Sequence, residues 1–213
     1  MSAKATVIDY GSGNIFSISH ALEHSGATIE LTADPKRLAE AERLVLPGVG
    51  AFGKAMEQLR ACNFIEPILR FVETGRPFLG ICVGMQVMMD YGEEFGRQDG
   101  LGLVAGHVSA IPPTDADGAP HPVPHIGWNA LDATEQDWQG TILDRVGPET
   151  AVYFVHSFAA VPDSQGHILA TCDYGSRPVT AAITKDNMVG TQFHPEKSGP
   201  AGLRILENFI ASA

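Results

Sequence analysis

The chain has few of the features that would place it outside the cell or in a membrane. It contains only three cysteines, Cys62, Cys82 and Cys172, and they are widely spaced. An odd number of scattered cysteines fits free thiols in a reducing compartment better than a disulfide framework. No apolar run approaches the length that a membrane span requires. The sequence therefore predicts a cytoplasmic protein without a membrane partner.

Basic residues are also scarce. The 14 lysines and arginines are outnumbered by 25 aspartates and glutamates, which gives a formal net charge of −11. Because nucleic-acid binding requires a basic patch or stripe, this composition argues against a nucleic-acid partner. A hydrophobic content of 44% over 213 residues is sufficient for one well-packed core and short for two. We expect a single domain over residues 1–213.

Apolar, β-branched runs alternate with helical patterns in the first half of the chain. Strands are predicted at 6–8, 28–31, 44–46 and 78–81, and helices at 15–24 and 64–73. This alternation is typical of a doubly wound α/β domain with a mostly parallel sheet flanked by helices. The second half adds predicted strands at 151–155, 167–171, 180–184 and 188–192 and a closing helix at 201–210, whereas the proline-rich segment 111–124 is a predicted loop.

The most informative segment is Gly-Ile-Cys-Val-Gly at residues 80–84, between the apolar pair 78–79 and a helix-compatible stretch at 85–89. Glycines on both sides of Cys82 permit the sharp strand-to-helix turn called a nucleophile elbow. Such a turn presents the central side chain at a helix N-terminus, where unpaired N–H groups and the helix dipole favour a thiolate. We therefore interpret Cys82 as a nucleophile, and Cys62 and Cys172 as structural residues.

A base and an orienting acid for this nucleophile occur near the C-terminus. Pro195 biases His194 towards an extended conformation, in which His194 and Glu196 project from the same side. Cys82, His194 and Glu196 then provide a nucleophile, a general base and a carboxylate that orients the base. Either motif alone has an ordinary structural explanation, but their combination favours a catalytic triad.

Acyl transfer also requires N–H donors for the oxyanion that develops on the attacked carbonyl group. One candidate donor is the backbone N–H of Val83, the residue that follows the nucleophile. A second candidate is the loop after the strand at 44–46, where Val49 and Gly50 can turn main-chain N–H groups towards a ligand. The same loop fits an ordinary strand-to-helix connection equally well.

These motifs, together with three further segments, give the chain a recognisable resemblance. The further segments are Ile-Asp-Tyr-Gly-Ser-Gly-Asn-Ile at 8–15, Pro-His-Ile-Gly-Trp-Asn at 124–129 and Tyr-Phe-Val-His-Ser-Phe at 153–158. Over nearly its whole length the chain resembles the class I, triad-type glutamine amidotransferases, which have a flavodoxin-like fold. The opening segment, Pro-His-x-Gly-Trp-Asn and the Glu-Lys-Ser that follows Pro195 make it similar to the glutaminase subunits of imidazole glycerol phosphate synthase in histidine biosynthesis.

The resemblance implies a reaction and a substrate. Cys82 would attack the carboxamide of glutamine to form a γ-glutamyl thioester, His194 would move the protons, and Glu196 would hold His194 in the useful tautomer. The amino-acid end of glutamine would be held by Gln86, His156, Ser157 and Phe158. Phe158 stands where the family pattern has a tyrosine, which removes one hydrogen bond near the pocket. The resemblance implies no cofactor and no metal.

The resemblance also implies a protein partner. In this family the glutaminase forms a heterodimer with a (β/α)₈-barrel cyclase subunit, and ammonia passes through the cyclase to make imidazole glycerol phosphate and an aminoimidazole carboxamide ribonucleotide. By resemblance, Asn14, Trp128 and Lys197 lie at this interface, although on sequence alone a tryptophan after a glycine, such as Trp128, is more often a core or rim packing residue. We expect the peptides of the loop at 48–50 to rotate when the partner binds.

Three alternatives remain open at this level. The chain could serve another synthase, for pyridoxal phosphate, anthranilate or purines, although Pro-His-x-Gly-Trp-Asn argues against these. It could be a free-standing cysteine peptidase or γ-glutamyl hydrolase, which would be active without a partner. It could be a non-catalytic binding module, although the presence of Cys82, His194 and Glu196 argues against that.

Overall fold

Strands and helices alternate through the N-terminal half of the chain, and mainly strands follow. The computed structural model describes residues 3–212. The helices are α1 (Ile15–His24), α2 (Phe52–Ala61), α3 (Ile65–Glu73), α4 (Val83–Gln86) and α5 (Gly199–Ala211), with short 3₁₀ helices at Pro35–Glu40, Gln165–His167 and Pro195–Lys197. The strands are β1 (Lys4–Ile8), β2 (Thr28–Thr32), β3 (Leu44–Gly48), β4 (Phe78–Cys82), β5 (Met89–Gly92), β6 (Gln98–Asp99), β7 (Val104–Ala110), β8 (His125–Ala130), β9 (Asp132–Ala133), β10 (Ala151–His156), β11 (Phe158–Pro162), β12 (Ile168–Asp173), β13 (Pro178–Lys185) and β14 (Met188–Thr191).

The central sheet has eight strands in the order β2-β1-β3-β4-β14-β13-β12-β9. The first five run parallel to one another, and the remaining pairs are antiparallel. Gly48 pairs with Cys82, and Ile81 pairs with Thr191, so β3, β4 and β14 end at the same edge. Three loops therefore meet at the carboxyl edge of this sheet, which is where doubly wound folds place their sites.

The predicted doubly wound fold is confirmed, because its main signal was physically strong. Every residue of β3 and of β4 is buried, as expected for parallel strands that are covered on both faces. The predicted helix at 15–24 agrees with α1, and the segment 111–124 is a loop apart from one bridge between Thr114 and Pro120. No helix within residues 3–212 is long and apolar enough to cross a membrane.

The predicted helix after the elbow is wrong in its extent. α4 is a single turn, and the chain enters β5 at Met89. The carbonyl oxygen of Val87 accepts a hydrogen bond from the N–H of Leu101, and that of Met88 accepts from Leu103. Because these carbonyls bond outside the helix, a longer helix cannot form, and the helix dipole at Cys82 is that of one turn.

Two smaller sheets were not predicted. One has the strand order β11-β7-β5-β6, and the other is the antiparallel pair β10-β8. The motif Pro-His-x-Gly-Trp-Asn supplies most of β8, in which Trp128 pairs with Tyr153 of β10. These strands carry short, interrupted patterns, since β8 contains a glycine with a φ of 148° at Gly127.

The turn after β4 is packed against the end of β3 without space for side chains. A Cβ atom at Gly84 would collide with the carbonyl oxygen of Leu46, and one at Gly80 would lie 2.6 Å from the carbonyl oxygen of Gly84. These neighbours are backbone atoms, which cannot rotate away. The glycines on both sides of Cys82 are therefore required by close backbone approach.

We predict that Gly84→Ala lowers the free energy of unfolding by about 3 kcal/mol, the upper range for inserting a methyl group into a packed site. The matched control is Gly147→Ala, because a Cβ there would have its nearest contact at 3.8 Å, from Thr150 Oγ1. The control should stay within about 0.5 kcal/mol of the parent. Urea denaturation measures both, and equal stabilities for the two variants would contradict the packing argument.

Candidate active site

Cys82 is the last residue of β4 and has a backbone conformation that is rare outside glycine. Its φ is 54° and its ψ is −113°, and its side chain is almost fully buried. Such a conformation in a residue with a Cβ stores about 1–3 kcal/mol of strain, which the surrounding packing must offset. The following residue, Val83, begins α4, so the helical bonding pattern leaves its N–H unused.

His194 and Glu196 lie on the loop after β14 and are joined by a short hydrogen bond. His194 Nδ1 is 2.8 Å from Glu196 Oε1, and both side chains are buried. Pro195 begins the 3₁₀ helix of this loop, and His194 immediately before it has the extended backbone expected of a residue before proline. The extended backbone predicted before Pro195 is therefore observed, and the two side chains lie together.

His194 also has a hydrogen bond with Cys82, so the three residues form one connected set. Burial lowers the pKa of His194, but the hydrogen bonds to Cys82 and Glu196 and the charges of both groups outweigh it and raise the pKa to about 9. His194 is thus suited to hold its proton at neutral pH, beside the Cys82 sulfur. Cys172 contrasts with this, because burial raises the pKa of its thiol to about 12.

A cavity of about 320 Å³ opens beside this set. Its lining includes the predicted residues Val49, Gly50, Cys82, Val83, Gln86, His156, Ser157, Phe158 and His194. The volume and the mixed polar lining suit a small polar ligand such as an amino acid. The structure therefore brings the predicted oxyanion and substrate residues to the same cavity as Cys82, the predicted nucleophile.

Gln86 is held mainly by the protein. Its Nε2 donates to the main-chain oxygen of Phe158 at 2.8 Å and to Gln192 Oε1 at 3.0 Å. Gln192 Nε2 in turn donates to Cys82 Sγ at 3.6 Å. The amide nitrogen of Gln86 is thus already used, and its carbonyl oxygen is the group left to accept a bond from a ligand.

The candidate oxyanion loop is restrained from the segment that follows β1. Ser12 Oγ donates to the carbonyl oxygen of Val49 at 3.0 Å, and Tyr10 donates its hydroxyl to the carbonyl oxygen of Pro47, also at 3.0 Å. Burial raises the pKa of Tyr10 to about 12, and the charge of Cys82 adds to this effect, so the phenol remains a donor. Gly50 takes a φ of 88°, which only glycine adopts without strain.

The three predicted interface residues lie around the site. Asn14 lines a narrow cleft together with His194 and Glu196. Trp128 is 56% exposed on β8, and Lys197 follows Glu196 directly, with its Nζ 5.6 Å from the ring centroid of Tyr153. Trp128 is therefore not a core residue.

Several residues of the site escaped the sequence analysis. Glu94 lines the cavity and accepts the N–H of Phe52 at 2.8 Å, Gln192 contacts the sulfur, and Ser12 holds the loop. Glu94 and Gln192 belong to no local spacing pattern, because they reach Cys82 or its cavity only through the tertiary fold. Gln192 lies two residues before His194 of the His-Pro-Glu motif, and this position was the one signal in the sequence that could have identified it as a site residue.

The comparisons with known proteins agree with this geometry. The family model described as glutamine amidotransferase class-I matches residues 6–213. The chain is 46% identical over 210 residues to imidazole glycerol phosphate synthase subunit HisH 1 of Legionella pneumophila strain Lens, covering 98% of this chain and 99% of that protein. It is 48% identical over 207 residues to subunit HisH of Geobacter sulfurreducens, covering 97% of each.

Solved structures extend the comparison to the fold alone. The structure described as PurLQS from Thermotoga maritima has a TM-score of 0.75 and 20% sequence identity, and the match covers 98% of each chain. A structure described as a glutamine amidotransferase from the same organism has a TM-score of 0.61 at 17% identity, with 92% of this chain and 77% of that chain covered.

We predict that Glu196→Gln lowers the pKa of His194 from about 9, because the anionic acceptor at Nδ1 is lost. A raised histidine pKa stabilises the fold fully below about pH 6.5, and this contribution is lost as the pH rises through about 9. In the variant this contribution should be smaller, and its loss should be complete at a lower pH. Histidine NMR titration measures the pKa, and urea denaturation across this range measures the stability. The control is Glu207→Gln, an exposed partner of Arg204, and an unchanged His194 titration in Glu196→Gln would contradict the assignment.

Proposed function

The chain belongs to the class I glutamine amidotransferases, and we propose that it is the glutaminase subunit of an imidazole glycerol phosphate synthase in histidine biosynthesis. Relatives with that name match it at 46% to 48% identity over nearly their whole length. The observation that carries the proposal is the contact of Cys82 with the His194–Glu196 pair at a cavity of amino-acid size.

The proposed chemistry uses Cys82 and His194 in two half-reactions. The Cys82 sulfur adds to the carboxamide carbon of glutamine, and the carbonyl electrons move to the oxygen. The oxyanion then collapses, the C–N bond breaks, and His194 gives its proton to the departing ammonia. In the second half-reaction His194 takes a proton from water, whose oxygen adds to the thioester carbon. The C–S bond then breaks, and His194 returns the proton to the sulfur. Glutamine and water thus become glutamate and ammonia, and the thiol is regenerated.

The cavity offers groups of both signs for the amino-acid end of the substrate. Glu94 provides a carboxylate that suits the α-ammonium group. The developing oxyanion would receive the N–H of Val83 and one N–H from the loop that contains Val49 and Gly50. His156, Ser157 and Phe158 also line the cavity, and we place the α-carboxylate beside them.

The hydrogen bond from Ser12 holds the Val49 carbonyl, and we propose that this peptide must rotate before the site is complete. A peptide whose carbonyl is held from one side presents its N–H in one fixed direction. Losing one oxyanion donor typically costs about 10²–10³ in rate, which is sufficient to keep an unpartnered glutaminase nearly inactive. Binding at a nearby surface can then bias the rotation.

We propose that the cyclase subunit docks on the patch formed by Ile126, Trp128, Tyr153 and Lys197. Ile126 and Trp128 are exposed on alternate positions of β8, and Tyr153 pairs with Trp128 across the strands. Val155, which pairs with Ile126, also lines the cavity, so the patch borders the site. Exposed aromatic residues beside a site of reaction suit a partner that receives its product.

The function is tested by measuring glutamate release from glutamine by the purified chain. The chain is assayed alone, and then with the cyclase and its nucleotide ligand. We expect strong release only in the complete mixture, and its loss in Cys82→Ser by at least about 10³-fold, because the serine hydroxyl is a much weaker nucleophile. Cys62→Ser is the matched control and should retain the activity.

Each other result identifies a different function. Equal release with and without the partner would favour a free-standing γ-glutamyl hydrolase. Activation only by a synthase for pyridoxal phosphate, anthranilate or purines would retain the chemistry and change the pathway. No release with any of these partners would contradict the proposal and favour a binding module.

We predict that Trp128→Ala weakens cyclase binding by about 30-fold, which corresponds to about 2 kcal/mol for an aromatic hot spot. The control is Leu31→Ala, which removes an apolar side chain of similar exposure from β2 at the far edge of the sheet. Calorimetric titration of each variant with the cyclase measures the affinity. Unchanged affinity and unchanged ammonia transfer in Trp128→Ala would exclude this patch as the interface.

A further inference from the structure

A chain of buried polar groups runs behind the cavity wall through two histidines. His125 Nδ1 lies 3.1 Å from His156 Nε2, His125 Nε2 lies 2.9 Å from Asn129 Oδ1, and His156 Nδ1 lies 2.9 Å from the carbonyl oxygen of Phe158. Both imidazoles are buried, and His156 lines the cavity. The proposed mechanism makes no use of His125.

Main-chain carbonyl groups fix both ends of this chain. Asn129 Nδ2 donates to the carbonyl oxygen of Asp173 at 2.9 Å. A flipped Asn129 amide would place two oxygens against each other there, so Oδ1 must face His125. At the other end, the Phe158 oxygen is an acceptor only. The histidine pair is therefore enclosed between two acceptors.

Counting protons then decides the charge state that satisfies the geometry. Three contacts link the Asn129 oxygen to His125, His125 to His156, and His156 to the Phe158 oxygen, and together they use all four ring nitrogens. Each contact needs one proton to be a hydrogen bond. Two neutral imidazoles carry two protons, which leaves one contact as a pair of facing lone pairs in a buried setting. Three protons complete all three bonds.

We propose that His125 and His156 share one extra proton and together carry a single positive charge at the wall of the cavity. The charge is placed to attract the α-carboxylate of glutamine, while the Glu94 carboxylate, which lines the same cavity, receives the α-ammonium group. This role rests on the proposed function, whereas the charge itself does not. His156 contacts the cavity, and His125 acts through it as a positioning residue.

The groups that face the pair act in both directions. Burial is the main effect and lowers the pKa of His156, the bond to Phe158 raises it, and the charges of His125 and His194 lower it again. The third hydrogen bond, which forms only when the pair holds the extra proton, opposes this cost of burial. Burial also lowers the pKa of His125, the bond to Asn129 raises it, and His121 lowers it. The rings of Tyr174, at 3.9 Å, and Phe154, at 4.8 Å, stack on His125. Stacking on aromatic faces favours a cationic ring.

The proton count is measured directly by NMR of the full chain labelled with ¹⁵N-histidine at pH 7.5. Protonated and bare ring nitrogens have distinct shifts, and spectra of His125→Gln and His156→Gln assign the two rings. We expect three protons over the four ring nitrogens at this pH. Two protons over the four nitrogens would overturn the proposal.

A variant distinguishes this charge from a merely structural role. Asn129→Leu removes the acceptor at His125 Nε2, so two protons then satisfy both remaining contacts, and the count should fall from three to two. The matched control is Asn208→Leu, which removes a half-buried asparagine that also donates to main-chain oxygens, those of Ile142 and Asp144. The control should keep three protons, and a count of three in Asn129→Leu would contradict the assignment.

Glutamine binding tests the role of the charge. In a Cys82→Ser background, Asn129→Leu should weaken glutamine binding about tenfold, because the α-carboxylate loses the attraction of a nearby positive charge. Binding of the α-amide of glutamine, which lacks the carboxylate, should not weaken. Unchanged glutamine affinity in Asn129→Leu would overturn the carboxylate role. A parent that binds no glutamine would overturn that role together with the proposed function, and the proton count would then stand on its own result.

Discussion

The site depends on one backbone contact, the packing of Gly84 against the carbonyl oxygen of Leu46. This contact fixes the turn after β4 directly on the end of β3, and it leaves Cys82 with a φ of 54° because the chain has no other way to leave the strand. The nucleophile and the candidate oxyanion loop start from paired residues, Cys82 and Gly48. A shift of either strand would separate these two residues. Burial of the residues at this edge of the sheet therefore has to offset the backbone strain at Cys82.

α4 is too short for its helix dipole to be the main group that would activate the Cys82 thiol. A helix of one turn contributes little dipole, so most of the positive potential at Cys82 must come from His194. The Glu196 carboxylate sustains that charge through Nδ1. Its second oxygen, Oε2, is buried without a hydrogen-bond partner among residues 3–212, which leaves the carboxylate charge concentrated on the His194 contact. Activation is therefore a property of the pair of loops and not of the helix.

The sequence predicted those parts of the molecule that repeat a strong local pattern. Buried parallel strands such as β3 and β4 are continuous apolar runs, and the elbow and His-Pro-Glu have a fixed spacing that carries its own geometry. The smaller sheets were missed because β8 begins after a proline and contains Gly127, and β5 was concealed in a run that also suits a helix. Glu94 and Gln192 were missed because they reach the site through tertiary contacts, which no spacing along the chain encodes.

β10 connects the candidate interface to the chemistry. Its residues alternate, so Tyr153 and Val155 face the patch while Phe154 and His156 are buried. The carbonyl oxygen of Tyr153 accepts a hydrogen bond from the N–H of His194, and the N–H of Tyr153 donates to Ser198 Oγ. Ser198 Oγ in turn donates to the carbonyl oxygen of His194. One strand therefore touches the patch, the base and the histidine pair. A partner that moves β10 must move His156, which is part of the strand, or His194, whose N–H is bonded to Tyr153 of the strand. Coupling between docking and catalysis then requires no additional element.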